Sequence, residues 1–391
     1  MWMEPQALVL NYYHPWTYGG SERFNQLARE ELRQGRPQAF VYIADAGPDE
    51  EVRAEMCSPA FARLALYKLT TPSAARPLSP AAMRLTGEAD VPLDTLVGTF
   101  QPDYVRAHFP SHAFIELLAG DTLRQVPFIY DVMDLWDDFA VQPWGNGMDE
   151  RYYVQRADAI VAASDLLLDK FSSAAYQAFI PMGIDAQFLE SLRAPGDTSG
   201  SSERKQVLYA GSLGGIWFDW ELVLAIVRAL PDHDFTFIGW MGPPPEEYDS
   251  EQSERAYAYA GELTELPNAR LLPPVRHTDL APWLRQADIG LIPFRQMDLV
   301  TAVNPLKVFE YIGAGIPTVQ IGIPGIADYP GVRSARDKSH FIDLVATNSR
   351  KDISPDEASA MGAFADGHTW VHRVRDFDNL VRDLIDRRRR H

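Results

Sequence analysis

Short apolar strands alternate with helices along this chain in two separate runs, and that alternation limits the fold more than any other feature. Strands read at 7–10, 38–43, 104–108, 128–132 and 159–162, and again at 206–210, 235–238, 269–272, 289–292 and 318–321. Helices fall between them at 22–34 (capped by Ser21, stopped by Gly35), 164–171, 219–230, 279–286 and 305–314. A strand–helix–strand repeat makes parallel pairing, because two parallel strands need a crossover of about that length. The polar run from Ala194 to Lys205 separates the two series. The expected fold is therefore α/β, with two doubly wound Rossmann-like domains facing across a cleft, 1–185 and 186–369. A last amphipathic helix follows in 370–391, its apolar stripe formed by Val371, Val374, Phe377, Leu380 and Leu384. Residues 50–99 carry Pro59, Pro72, Pro77, Pro80 and Pro92 and read as short helical pieces covering one sheet face.

A length of 391 residues suits two such domains, each with its own core. The formal net charge of −18 argues against nucleic acid as the main partner, since phosphate neutralisation needs a basic surface. Arg387 to Arg390 form a local exception, read either as a solvated tail or as a peripheral contact with anionic lipid at a membrane's inner face. Cys57 stands alone and no apolar run reaches the length of a membrane span or a signal peptide, so a cytoplasmic protein is expected.

The stretch from Val303 to Pro317 carries the most chemistry. Asn304 suits an N-cap, Pro305 the first helical position, and Gly315 a left-handed stop. Lys307 and Glu310, three apart, share one face, while Leu306 and Phe309 share another. A helix N-terminus with a lysine in its first turn attracts an anion, and a glutamate one turn on can accept from a vicinal diol such as a ribose. Phosphate then diol describes a nucleoside diphosphate lying along the helix; a solvated Lys–Glu surface pair is the plainer reading.

Glycine loops follow the first strand of each run: Gly19-Gly20, and Gly211-Ser212-Leu213-Gly214-Gly215. Both let a phosphate approach the backbone, or simply make a tight turn. The second is not the dinucleotide fingerprint, and its next strand ends at Ile238-Gly239-Trp240 with no acidic residue for a ribose, which disfavours a nicotinamide enzyme. Asp131, Asp134, Asp137 and Asp138 crowd a strand's C-terminal end, where open α/β sheets bind ligands. Asp134 and, after it, Asp131 are the candidates to take a proton from a hydroxyl; the others suit capping and solvation. His108 and His112 are four apart, but Pro110 lies between them, so no metal site is expected. Trp16, Trp136, Trp144 and Trp217 fall in loops where flat faces suit sugar rings or ordinary packing.

Taken together these segments resemble glycosyltransferases of the GT-B architecture, especially the retaining family four and its relatives, over nearly the whole chain. Tyr18-Gly19-Gly20-Ser21-Glu22 is similar to the family's N-terminal glycine loop, and Tyr209-Ala210-Gly211-Ser212-Leu213 to its donor-domain opening. Residues 157–164 and 180–185 are similar to its interdomain approach, 279–284 and 287–293 to the run into its donor helix. Pro305 to Pro317 resembles the segment whose glutamate holds the donor ribose, a role the resemblance gives to Glu310. It also implies that the last helix crosses back to the first domain. Two departures mark an outlying branch. Ala302 stands where an acidic residue often contacts the donor sugar, and Ile216-Trp217-Phe218-Asp219 stand where an arginine and a lysine often meet the pyrophosphate.

The resulting expectation is transfer of a sugar from a nucleoside diphosphate, UDP or GDP, to a hydroxyl acceptor such as a cell-surface glycan, a lipid-linked sugar or a small glycoside. No cofactor and no metal are expected. The nucleotide lies near Arg276 and Pro293, the ribose on Glu310, and the diphosphate on Gly211, Ser212, Leu213, Lys307, Arg295 and the helix start at Asn304, Pro305 and Leu306. A nucleotide-sugar epimerase or a pyridoxal-dependent phosphorylase on the same scaffold, and a non-catalytic nucleotide-sugar-binding protein, are the rival readings.

Overall fold

A computed structural model describes residues 5–15, 22–44, 61–136, 147–171, 176–194, 203–242 and 251–390. The chain divides into two compact units, one of residues 1–182 with 370–391 and the other of residues 183–369.

The described part of the first unit is built on β1 (Ala7–Asn11), β2 (Gln38–Tyr42), β3 (Leu64–Thr71), β4 (Ala74–Pro77), β5 (Val91–Pro92), β6 (Tyr104–Ala107), β7 (Phe128–Val132), β8 (Ala159–Ala162) and β9 (Gln177–Phe179). They form one sheet in the order β5-β4-β3-β2-β1-β6-β7-β8-β9. Pairing is parallel from β3 through to β9 and antiparallel from β3 to β4 and β4 to β5. The central strands β1, β2, β6, β7 and β8 are buried at every position, as covering on both faces demands.

Residues 61–99 correct the expectation of short helical pieces. They contribute β3, β4 and β5, which extend the sheet past β2, together with the helices Pro80–Thr86 and Leu93–Phe100. The prolines fall where strand and helix chemistry tolerates them: Pro77 at a strand end, Pro80 at the start of a helix, Pro92 in the edge strand. Ser79 caps the first of these helices by accepting from the Ala82 N–H at 3.1 Å. Pro59 and Cys57 lie outside the described residues.

The helix after β1, Arg23–Arg33, begins one residue later than the sequence suggests. Glu22 is its N-cap, and its side chain and that of Asn25 satisfy each other's backbone N–H groups in a capping box. The terminal helix Trp370–Arg388 belongs to this first unit. Its Phe377 is 1% exposed and lies under two guanidinium groups, Arg106 at 5.2 Å and Arg23 at 5.8 Å from the ring centre. Arg106 in turn makes a bidentate pair with Glu31, both bonds 2.8 Å, and Asp378 binds Arg36.

The second unit carries β10 (Lys205–Ala210), β11 (His233–Ile238), β12 (Ala269–Leu272), β13 (Ile289–Ile292), β14 (Thr318–Ile321) and β15 (Val332–Ala335). All pair in parallel, in the order β12-β11-β10-β13-β14-β15. The strand order reverses between β10 and β13, and such a switch point opens a crevice beyond the strands' C-terminal ends. Helices Glu251–Thr264, Lys338–Thr347 and Pro355–Gly367 and strand β15 also occur here, none of them signalled by the reading of the sequence.

Candidate functional site

The switch point of the second unit gathers most of the candidate donor residues. Gly211 follows β10 at φ +145°, a conformation that favours glycine. A Cβ built on it would meet Lys307 Cε at 3.0 Å and Nζ at 3.2 Å, so the lysine's ammonium lies directly over this turn. Gly239, at the end of β11, is as constrained: its Cβ would fall 1.7 Å from the Gly211 carbonyl oxygen. Lys307 Nζ also lies over the rings of Phe294 (5.1 Å) and Tyr209 (5.3 Å), which fix where the charge is held.

Several loop groups are already committed. The N–H of Gly211 donates to Ile238 and that of Leu213 to Trp240, and the Leu213 side chain is fully buried. The Leu213 N–H and side chain are thus both engaged within the unit. Ser212 remains half-buried, its carbonyl accepting from the Tyr209 hydroxyl at 2.7 Å.

The helix expected at 305–314 runs Leu306–Gly313. Pro305 is its N-cap, and Asn304 does not cap it. The Asn304 amide instead donates to the Tyr329 hydroxyl at 3.0 Å, because the chain enters the helix one residue later and turns that side chain into the unit. Leu306 and Lys307 occupy the first turn, in which the Val308 N–H donates to the Pro305 carbonyl at 3.1 Å. Glu310, one turn on, is 5% exposed. His277 donates from Nε2 to its Oε1 at 2.6 Å, since a carboxylate can only accept. Phe188 stacks on the imidazole with ring centres 4.1 Å apart. Glu310 is therefore clamped, with one oxygen taken by the protein.

The sequence pointed to Arg276, one residue short of the group that reaches Glu310. Arg276 is exposed and pairs with Asp279 at 2.8 Å, while its neighbour His277 is the side chain that reaches Glu310. Pro293 is buried at the end of β13, its carbonyl accepting from Asp219 N–H. Arg295, two residues on, is exposed and lines a cavity of about 240 Å3 with Gly214, Gly215, Arg255 and Tyr259. Arg255 comes from the helix Glu251–Thr264, which the sequence reading missed.

The first unit holds the acidic candidates. Asp131, the fourth residue of β7, is fully buried. Arg23 approaches it through Nε at 3.0 Å and Nη2 at 2.9 Å, and His108 Nδ1 lies 3.1 Å away. Burial alone would raise its carboxyl, but the Arg23 guanidinium and His108 hold it far below the ordinary carboxylate range. Burial in turn keeps the His108 imidazole low, against the pull of Asp131. Arg23 also donates to the Pro181 carbonyl at 3.0 Å. Asp131 thus serves as the counter-ion of the buried Arg23, which leaves Asp134 the better placed of the two to take a proton.

Asp134, three residues further, is half-buried. Loss of solvation and the nearby Glu22 carboxylate push its carboxyl up to about 8. A carboxyl tuned to that range is suited to accept a proton near neutral pH. His112 binds Asp149 at 2.9 Å, so His108 and His112 serve different carboxylates. Gly19, Gly20, Ser21, Asp137, Asp138, Trp16 and Trp144 lie outside the described residues.

No family model matches the chain. It is 28% identical over 235 residues to the putative teichuronic acid biosynthesis glycosyltransferase TuaH of Bacillus subtilis (strain 168), a match spanning 56% of each protein. Among solved structures, sucrose-phosphate synthase from Thermosynechococcus elongatus aligns over 97% of this chain and 99% of its own, at 15% identity and a TM-score of 0.66. Anabaena HepE, in complex with UDP-glucose, aligns over 98% and 99% at 12% identity and 0.66. This is the GT-B fold. A UDP-forming trehalose-phosphate synthase from Burkholderia vietnamiensis extends the GT-B likeness, with 97% and 100% covered, 15% identity and a TM-score of 0.59. At these identities the structures establish the GT-B arrangement of two Rossmann-like domains and nothing finer. The chain covers just over half the length of its curated relative.

Proposed function

We propose that this chain is a glycosyltransferase that moves a sugar from a nucleoside diphosphate to a hydroxyl acceptor. One observation carries the reading: at the switch point of the second sheet, the Gly211 turn lies against the helix that presents Lys307 and, one turn on, Glu310. A diphosphate on the turn and helix start, with a ribose on Glu310, uses each of these groups for what its chemistry does best. Arg255 and Arg295 add positive charge beside the same loop, where the sequence lacks the usual arginine and lysine.

In the reaction the bond from the anomeric carbon to the diphosphate oxygen breaks, and the electron pair leaves with the diphosphate. Lys307 and the helix N-terminus meet charge that grows as the bond stretches, so they favour the transition state over bound donor. The anomeric carbon becomes oxocarbenium-like and bonds to the acceptor oxygen. The acceptor's proton passes to the Asp134 carboxylate in an inverting reaction; in a retaining one Asp134 orients the acceptor.

Uridine donors head the candidates because HepE was captured with UDP-glucose, and a cell-surface polysaccharide is the first acceptor class because TuaH is named for teichuronic acid biosynthesis. The single cysteine and the need for nucleotide sugars fit a cytoplasmic enzyme. No metal or cofactor is required by this scheme. A thermal-shift panel of nucleoside diphosphates and their sugars tests it, since a ligand at ~100 times its Kd stabilises by about 2.7 kcal/mol. Stabilisation by a matching nucleotide, followed by donor consumption that depends on acceptor, is the expected result. Isomerised sugar nucleotide from donor alone would instead establish an epimerase, and binding without turnover a sensor.

A further inference from the structure

The arginines at 382–389 take no part in the scheme above, yet they line a groove on the first unit. A groove of about 1010 Å3 is bordered by Arg124, Arg382, Arg387, Arg388 and Arg389. Its apolar lining includes Pro102, Val126, Val381 and Ile385. The acid in the lining is Asp103, which already accepts from the Gln6 N–H at 2.8 Å. In a chain of net charge −18 this is a local reversal of sign.

The arginines are not equivalent. Arg388 is fixed by Asp158 through two bonds of 2.7 and 2.8 Å, which anchors the last turn of the terminal helix. Arg387 lies on the Tyr176 ring at 4.4 Å. Arg124 and Arg382 are exposed; Asp121 lies 3.5 Å from the first, and the second reaches Asn379 at 3.4 Å. Asp383 accepts from the Tyr176 hydroxyl at 3.4 Å, on the residue whose ring carries Arg387. The groove is thus bordered by a set of guanidinium groups from the terminal helix and the helix Asp121–Arg124, and guanidinium is the side chain that matches phosphate oxygens in pairs.

Position sharpens the inference. Pro102 and Asp103 precede β6, and Val126 and Pro127 precede β7, so the groove lies at the N-terminal ends of the parallel strands. Asp134 lies beyond their C-terminal ends, about 15 Å away across strands of four or five residues. The groove is therefore separate from the acid-bearing edge. A lone soluble phosphate would engage one or two of the arginines, whereas a surface of phosphodiesters engages the set together, with apolar lining left for glycerol and the first methylenes.

We propose that this groove docks the first unit on an anionic phospholipid bilayer, its arginines binding headgroup phosphodiesters. The bound orientation turns the β7 end that carries Asp134 away from the lipid, leaving it open to a water-exposed acceptor.

Co-sedimentation of the full chain with phosphatidylglycerol–phosphatidylcholine vesicles, against phosphatidylcholine alone, tests this. The expected result is binding to the anionic vesicles only, released by high salt. Each arginine near such a surface contributes about fivefold to partitioning, so Arg124→Ala/Arg382→Ala should weaken binding roughly 25-fold. Unchanged thermal unfolding and nucleotide stabilisation show that the variant is folded. The proposal is overturned if wild type ignores anionic vesicles, or if the double variant binds as wild type does. It is equally overturned if inorganic phosphate strips the protein more effectively than sodium chloride of equal ionic strength, which marks a soluble-anion site. None of these outcomes depends on the transferase assignment.

Discussion

Replacing Glu310 with alanine should weaken nucleotide binding by an amount the geometry bounds. His277 already holds Oε1 at 2.6 Å, so the ribose is left with chiefly the other oxygen. One charge-assisted hydrogen bond is worth about 1.5–3 kcal/mol, and a second hydroxyl sharing the same oxygen adds less. The expected loss is therefore ~2–4 kcal/mol, or about 30- to 1000-fold in Kd. Stability must be kept apart from affinity, because the substitution also strands the His277 N–H at a cost of about 1–3 kcal/mol. A cycle with the 2′-deoxynucleotide does this. Titration calorimetry on wild type should show the deoxy analogue binding worse than the parent, and on Glu310→Ala the two should bind alike. If the deoxy penalty is as large in the variant as in wild type, Glu310 does not touch the ribose.

Other substitutions address the remaining groups. Asp134→Asn should lower kcat by ~100-fold or more while donor affinity stays, measured by turnover and calorimetry together. Because the Asp134 carboxyl is pushed up to about 8, the fraction acting as a base grows through that pH, and kcat/KM should rise towards it. Glu22→Gln removes the negative neighbour and should move that limb to lower pH; an unmoved pH profile would refute the coupling. The folded state holds this proton more tightly than the unfolded chain, so stability falls as pH climbs from the ordinary carboxylate range to about 8. Asp134→Asn should abolish that fall in a pH series of melts. Lys307→Ala should weaken a nucleoside diphosphate strongly and the bare nucleoside hardly at all, read by competition binding. Arg23→Met leaves Asp131 buried without its guanidinium and should cost ~3–5 kcal/mol, lowering Tm by roughly 10 °C, with partial recovery in Arg23→Met/Asp131→Asn.

Much of the architecture was legible because burial on both sheet faces writes central strands as unbroken apolar runs, as in β1 and β8. A cap such as Ser164 marked a helix start for an equally local reason. The reading failed where the signal is shared. Prolines between residues 61 and 99 suit strand edges as well as broken helices, and β3 loses its burial towards Thr71, so the pattern fades. The helix Glu251–Thr264 buries only Ala256, Ala260 and Leu263, too narrow a stripe to stand out. At the candidate site, Lys307 and Glu310 were visible because one helix fixes their spacing. His277 was not, because its contact with Glu310 spans 33 positions. Asp131 stayed a candidate behind Asp134 for a similar reason: Arg23, which pairs with it, is 108 residues away in sequence.

The placement of Trp370–Arg388 bears on how the protein is made. Residues 183–369 are one uninterrupted stretch and can close around their own sheet as soon as they leave the ribosome. The earlier unit cannot: Arg23 and Arg106 have no Phe377 to lie on, and Arg36 no Asp378, until the segment 370–388 has been translated. Of the two units, the one that begins earlier is thus completed later. Nascent chains arrested before codon 370 should expose a protease-sensitive amino-terminal half beside a protected second one.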